Sequence, residues 1–354
     1  MVIPGLVDCH THLAFAGWRA DEFEQRILGR SYLEIARSGG GIASTVRLTR
    51  AASEQQLTER AARFLEAMVA LGVTTVECKS GYGLNVDAEL KLLRVYRRLA
   101  AAQPVRIVAT FLGAHVVPAE WRENSEGYVA LLVERMIPAV AQQELAACCD
   151  AFVEESAFTV SQARRILGAG RRAGLAVKLH ADQLSSCGGA ELASELGALS
   201  ADHLEHISEA GIAAMAAAGV VAVSLPLASL YLRQPPMPAR RLIQADVPVA
   251  VATDFNPGSA PSYHLPLAMT LACTLQSMTP AEALKGATIY AARAIAMEEL
   301  TGSLEPGKAA DFAIIDAPDV NHWLYHFRPN ACVRTVIAGT TQWSAPVYDT
   351  THSS

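Results

Sequence analysis

The stretch Leu6-Val7-Asp8-Cys9-His10-Thr11-His12 decides how this 354-residue chain is read. Leu6–Cys9 has the apolar character of a buried strand. A doubly wound open sheet would place a glycine-rich phosphate turn directly after its first strand. Here that place holds two histidines one residue apart. In an extended segment residues i and i+2 point to the same side, so His10 and His12 can reach one ion.

Working outward, seven more short apolar runs follow: Val73–Cys78, Arg106–Leu112, Ala151–Glu154, Ala176–Leu179, Ala201–Leu204, Val220–Leu225 and Val249–Thr253. Helical patterns alternate with them, among them Glu54–Leu71, Val86–Ala101, Gly127–Gln142, Ser161–Ala173, Gly188–Leu196 and Glu209–Ala218. Apolar strands each followed by a helix indicate a parallel sheet covered on its faces. Eight such units in the first 300 residues predict a (β/α)8 barrel, a TIM barrel. Beyond it, Phe312–Asp316 and Val333–Ala338 are strand-like, with a turn at Leu304–Asp311 before them and another at Ala338–Thr340 after them. They predict a small β layer over residues 301–345, followed by a tail over 346–354.

Composition narrows the function classes. Hydrophobic residues make up 51% and charged residues 18%, with mean hydropathy +0.22, the reverse of a disordered chain. Lys and Arg number 29 against 35 Asp and Glu, so no basic excess exists to neutralise phosphates, and a nucleic-acid partner is not expected. Seven cysteines without regular spacing argue against a disulfide framework and for a reducing compartment, the cytoplasm. The start carries no basic segment followed by an apolar run, so no signal peptide is read there. Gly211 to Leu232 carries no charge. Gly219 and Pro226 interrupt it, which argues for a helix followed by a buried strand and against a membrane span.

The catalytic face of such a barrel lies at the C-terminal ends of its strands. Six of the ten histidines fall at or just beyond those ends: His10, His12, His115, His180, His203 and His206. His10, His12 and His180 with Asp254 form an N3O donor set suited to zinc or iron, with room for water. His203 comes first beyond its apolar run and is the preferred functional residue of its pair. His206 is equally compatible with an inert place on the following helix. Lys178, two residues before His180, can pair with a carboxylate inside the barrel. Arg19 follows the histidine pair in a loop with Phe15, Gly17 and Trp18 and has the fork geometry for a carboxylate. Tyr82, between Gly81 and Gly83, presents a phenol to the barrel mouth. Cys9, Cys148 and Cys149 read as small buried hydrophobes.

These motifs resemble the amidohydrolase superfamily and, within it, the imidazolonepropionase family. The resemblance is carried by the His10-Thr11-His12 start, Gly39-Gly40-Gly41-Ile42, Lys79-Ser80-Gly81-Tyr82-Gly83-Leu84, Leu112-Gly113-Ala114-His115, Lys178-Leu179-His180-Ala181-Asp182, Asp202-His203-Leu204-Glu205 and Thr253-Asp254-Phe255-Asn256-Pro257-Gly258. It implies one zinc or iron ion per chain at His10, His12, His180 and Asp254. It implies that Arg19, Tyr82, His115, Gln183 and Ser259 contact a small imidazolone substrate, and that Tyr82, Asn256 and Gly258 contact its ring-opened product. Asp254 and His203 are then the catalytic pair. Gln183 departs from members that carry glutamate there. The family's small domain is a β-sandwich begun by an N-terminal segment, so the resemblance implies a satellite incomplete at its N-terminal side. Tail strands left without partners would expose an apolar edge, and a homodimer covering that edge is expected. Two alternatives stay open on the residues alone: another cyclic amidase or deaminase of the superfamily, and a non-catalytic metal-binding member.

Overall fold

The computed structural model describes residues 1–30, 34–35 and 39–346. A short strand β1 (Val2–Pro4) precedes eight parallel strands: β2 (Leu6–Asp8), β3 (Val73–Lys79), β4 (Arg106–Ala114), β5 (Cys148–Val153), β6 (Ala176–Ala181), β7 (Ser200–His203), β8 (Val221–Ser224) and β9 (Val249–Val251). They pair in sequence order from β2 to β9. β2 and β9 share no ladder. The seam between them is joined just beyond the strands, where the Asp254 amide donates to the His10 carbonyl at 3.0 Å and the His12 amide to the Phe255 carbonyl at 2.9 Å. The barrel is therefore closed by the residues expected to do chemistry.

The strands are buried along nearly their whole length, as strands covered on both faces should be. The surrounding helices follow local rules. Ser53 caps the helix Glu54–Ala70 in a reciprocal box with Gln56, and Leu57, Ala61, Leu65 and Met68 form its buried stripe. Thr159 and Gln162 cap Val160–Arg172 the same way. The pattern over Gly127–Gln142 is helical from Ser125, with a π turn at Leu132–Met136 ahead of Pro138. The wider turn accommodates a proline that has no N–H to donate and would crowd the preceding turn. The uncharged stretch from Gly211 divides into the end of helix Glu209–Ala218, β8 and helix Pro226–Leu232. Among the described residues no helix is long and apolar enough to cross a membrane.

The small β layer differs in two respects from expectation. It is one four-stranded antiparallel sheet, in the order β1, β10 (Phe312–Ile315), β11 (Cys332–Ile337) and β12 (Thr340–Ser344). Val2–Pro4, counted with the barrel in the sequence reading, pairs with β10 through Val2–Ile314 and Pro4–Phe312. Phe312–Ile315 thus has a partner on each side and is no bare edge. The Ala338-Gly339 turn returns the chain as β12, which covers β11.

Candidate metal centre and active-site cleft

The site is built where strands end and the backbone turns sharply. Asp182, His203, Leu204 and Asp254 all adopt positive φ, from 49° to 82°, a region that L residues enter at a cost. Each lies at or just past the C-terminal end of β6, β7 or β9. These four lie on the face where side chains must converge.

His10 Nε2 lies 3.5 Å and His12 Nε2 3.4 Å from Asp254 Oδ1. His180 Nε2 lies 3.5 Å from His12 Nε2. These three spacings match the edge of a tetrahedron whose centre is about 2.1 Å from each corner, the usual zinc–nitrogen and zinc–oxygen distance. His10 Nε2 is buried and has no hydrogen-bond partner, as a lone pair reserved for an ion would. Burial, assisted by Lys79 and His180, pushes the His10 imidazole down to about 3, and burial also lowers His12, to about 4. Burial would raise Asp254, but the adjoining His10 and His12 imidazoles outweigh it and hold the carboxyl well below its usual range. All three groups are therefore in the protonation state that binds a cation. His10, His12 and Asp254 form one convergent group, with His180 beside His12, and this donor set fits a metal ion. His203 joins His10 and His180 in a second convergent group.

A buried layer beneath the ligands fixes the tautomers of His10 and His180. Asp202 Oδ2 accepts from His10 Nδ1 at 2.6 Å, and Asp150 accepts from His180 Nδ1 at 3.1 Å. Each bond leaves Nε2 facing the centre. Lys79 bridges Asp150 and Glu77 at 2.8 Å each and reaches Asp202 at 3.5 Å. Lys178 sits 3.7 Å from Asp202 and donates to Ser200 Oγ and the Ala294 carbonyl. The sequence reading gave Lys178 a carboxylate partner inside the barrel. It missed the roles of Glu77, Lys79, Asp150 and Asp202. The available signal was charge within otherwise apolar strands, since a fully buried charge needs a partner.

A cavity of about 1600 Å³ opens above the centre, and His12, His180, His203 and Asp254 reach its floor. All the residues expected to bind substrate line it: Arg19, Tyr82, His115, Gln183, Asn256, Gly258 and Ser259. His115 Nδ1 meets the Gly81 carbonyl at 3.0 Å. A carbonyl can only accept, so Nδ1 carries the proton and Nε2 remains an acceptor. Burial keeps this ring neutral, well below the ordinary histidine range. Gly81 has φ +103°, and a β-carbon there would press on His115 and the Leu112 carbonyl, which is why the turn needs glycine. The Asn256 side chain is spent inside its own turn. It donates to the Asp254 carbonyl and Ser259 Oγ and accepts from the Gly258 and Ser259 amides. His203 Nδ1 lies 3.7 Å from Glu205 Oε1. Burial lowers the His203 imidazole, but Glu205 outweighs it and the net shift is upward. Asp182 caps the helix Gly189–Leu196 by accepting four backbone amides from Cys187 to Ala190. His206 does not line the cavity. Cys9, Cys148 and Cys149 are buried, and burial pushes the Cys148 thiol up to about 11.

The family model described as "Amidohydrolase family" matches residues 1–341. The chain belongs to the amidohydrolase family. Among curated amidohydrolase relatives, the imidazolonepropionase of Geobacillus kaustophilus (strain HTA426) is 51% identical over 338 residues, covering 96% of this chain and 80% of the relative. That of Rhizorhabdus wittichii is 54% identical over 316 residues, 89% of this chain and 79% of the relative. Solved structures share the fold. A 5-methylcytosine deaminase from Klebsiella pneumoniae superposes with TM-score 0.74 at 17% identity, covering 98% of this chain and 87% of that one. An adenosine deaminase from Xanthomonas campestris with bound zinc gives 0.70 at 20% identity, covering 97% of this chain and 80% of that one.

Proposed function

We propose that this amidohydrolase opens the ring of 4-imidazolone-5-propanoate with water to give N-formimidoyl-L-glutamate, a step of histidine degradation. The observation that carries the reading is the position of Arg19, which lines the same cavity as His12, His180 and Asp254 of the donor set. A substrate with a hydrolysable ring and a carboxylate tail suits that pairing. The relatives named imidazolonepropionase at about half identity support the same chemistry.

One zinc or iron ion per chain, held by His10, His12, His180 and Asp254, would acidify a water and polarise the ring carbonyl. Asp254 is ionised and is placed to take the proton of the attacking water. It returns that proton to the ring nitrogen as the carbon–nitrogen bond breaks and the new carbon–oxygen bond forms. His203 faces the same carbonyl region, backed by Glu205, and would steady the developing negative charge. His115 offers Nε2 to a ring N–H, and Tyr82 offers its phenol. Gln183 cannot ionise, so it orients the ring by its amide. Arg19 grips the propionate and so fixes the ring over the centre. Asn256 shapes the turn that presents Gly258 and Ser259 to the product. The deciding experiment is loss of imidazolone absorbance on incubation with metal-loaded protein. Persistence of that absorbance, with no formiminoglutamate formed, would refute the reading.

A further inference from the structure

We propose that Lys79 is a positioning residue of the metal centre, the buried cation through which the ligands His10 and His180 are held in register from opposite sides of the barrel. The inference rests on the ligand assignment above and not on the identity of the substrate.

The geometry is specific. Lys79 is fully buried at the end of β3. Its ammonium has three N–H donors, and three carboxylates surround it: Glu77 and Asp150 at 2.8 Å and Asp202 at 3.5 Å. Two of these carboxylates are the ones that receive Nδ1–H from ligating histidines. Asp150 Oδ2 lies 2.8 Å from Lys79 and 3.1 Å from His180 Nδ1. Asp202 Oδ2 lies 3.5 Å from Lys79 and 2.6 Å from His10 Nδ1. The lysine ammonium thus joins the support of a β6 ligand to the support of a ligand that follows β2. The third carboxylate is itself fixed, by Thr110 Oγ1 at 2.5 Å from Glu77 Oε1, so the ammonium cannot drift. Without it, no lysine or arginine among the described residues would pair with Asp150, and Asp202 would keep only Lys178, 3.7 Å away. Uncompensated buried carboxylates reorient or draw in water, and the imidazoles they aim would turn with them. Partners of this kind typically set metal affinity by 10–100-fold.

The test uses the full chain with zinc alone, titrated against a chromogenic chelator, and the visible spectrum of the cobalt-substituted protein. Lys79→Met should remain folded by circular dichroism, bind zinc roughly 10–100-fold more weakly, and show an altered cobalt d–d band. Arg106→Met, which breaks an ion pair with Asp311 at the N-terminal end of β4, away from the ligand-supporting bonds, should leave the band unchanged. Native affinity and an unaltered band in Lys79→Met would overturn the proposal. So would equal changes in Lys79→Met and Arg106→Met, because the effect would then belong to any loss of a charge pair. If Lys79→Met alone does not fold, the charge-balanced pair Lys79→Met with Asp150→Asn is compared with Asp150→Asn. Weaker zinc binding by the pair supports the role through Asp202, and equal binding refutes it. Failure of the unaltered protein to bind zinc would instead strike the ligand assignment.

Discussion

The guanidinium of Arg19 lies directly against the α-carbon of Gly258, so close that a β-carbon there would overlap it. Arg26 donates to the carbonyl of the same glycine at 3.2 Å. The glycine is therefore the floor on which the proposed carboxylate clamp rests. Arg19→Ala should weaken transition-state binding by about 2–4 kcal/mol, the range for removing one partner of a buried charge pair. Gly258→Ala should raise KM by displacing the clamp while leaving kcat less affected. A neutral amide analogue of the substrate should lose far less in either variant. Equal losses for charged and neutral compounds would show that Arg19 acts elsewhere.

Metal content provides the second prediction. The protein should bind about one divalent ion per chain, and chelation should abolish turnover. Because an ion that binds only the folded state stabilises it by mass action, readdition at a hundredfold excess over Kd should recover about 2.7 kcal/mol of stability. His10→Ala should lose both effects. Chelator-resistant turnover in protein without stoichiometric metal, measured by elemental analysis, contradicts the assignment.

The barrel was legible because its strands are covered on both faces and so read as continuous apolar runs. All eight recur within a few residues of their expected limits. His10, His12, His180 and Asp254 were legible for the complementary reason, as polar side chains at the ends of those runs. What escaped depends on contacts between distant segments. Val2–Pro4 is too short to carry a period and is a strand only because β10 lies beside it. The Lys79 network converges from β3, β5 and β7, and no local pattern links its members. Asn256 belongs to a telling motif, yet only in the fold is its amide consumed within the turn.

Asp8 predicts a pH dependence in the metal-free protein. Burial raises its carboxyl from 3.8 to about 7, against hydrogen bonds from Thr253 that pull it down. A carboxyl raised in the fold stays protonated there while the unfolded chain already ionises. Its contribution is fully present below 3.8 and is lost as pH climbs from there through about 7. Asp8→Asn removes this loss. The variant should gain on the parent across that window by up to about 1.4 kcal/mol per pH unit, then level off. Urea midpoints between pH 5 and pH 8, at roughly one-unit steps, would read the difference. Parallel curves would mean that Asp8 is ionised in the fold throughout.

The final prediction concerns the proton. Asp254 is both a proposed ligand and the carboxylate beside the attacking water, whereas Gln183 has no proton to exchange. A bound ion should keep Asp254 ionised, yet the group can still shuttle a proton as the bond breaks. Asp254→Asn should therefore remove nearly all turnover, a loss of several orders of magnitude if both roles fail. Gln183→Glu should keep measurable activity, because it preserves side-chain length and faces the same cavity. His203→Ala should fall between, at roughly 10²–10⁴-fold, the usual span for one acid–base group. Its neighbour Glu205 holds the imidazole above its ordinary range, so its contribution should be greatest on the acid side of the profile. Each variant is to be assayed at saturating metal with its bound metal measured, which separates lost ligation from lost proton transfer. Near-normal turnover in Asp254→Asn beside a dead His203→Ala would move the base from the carboxylate to the imidazole.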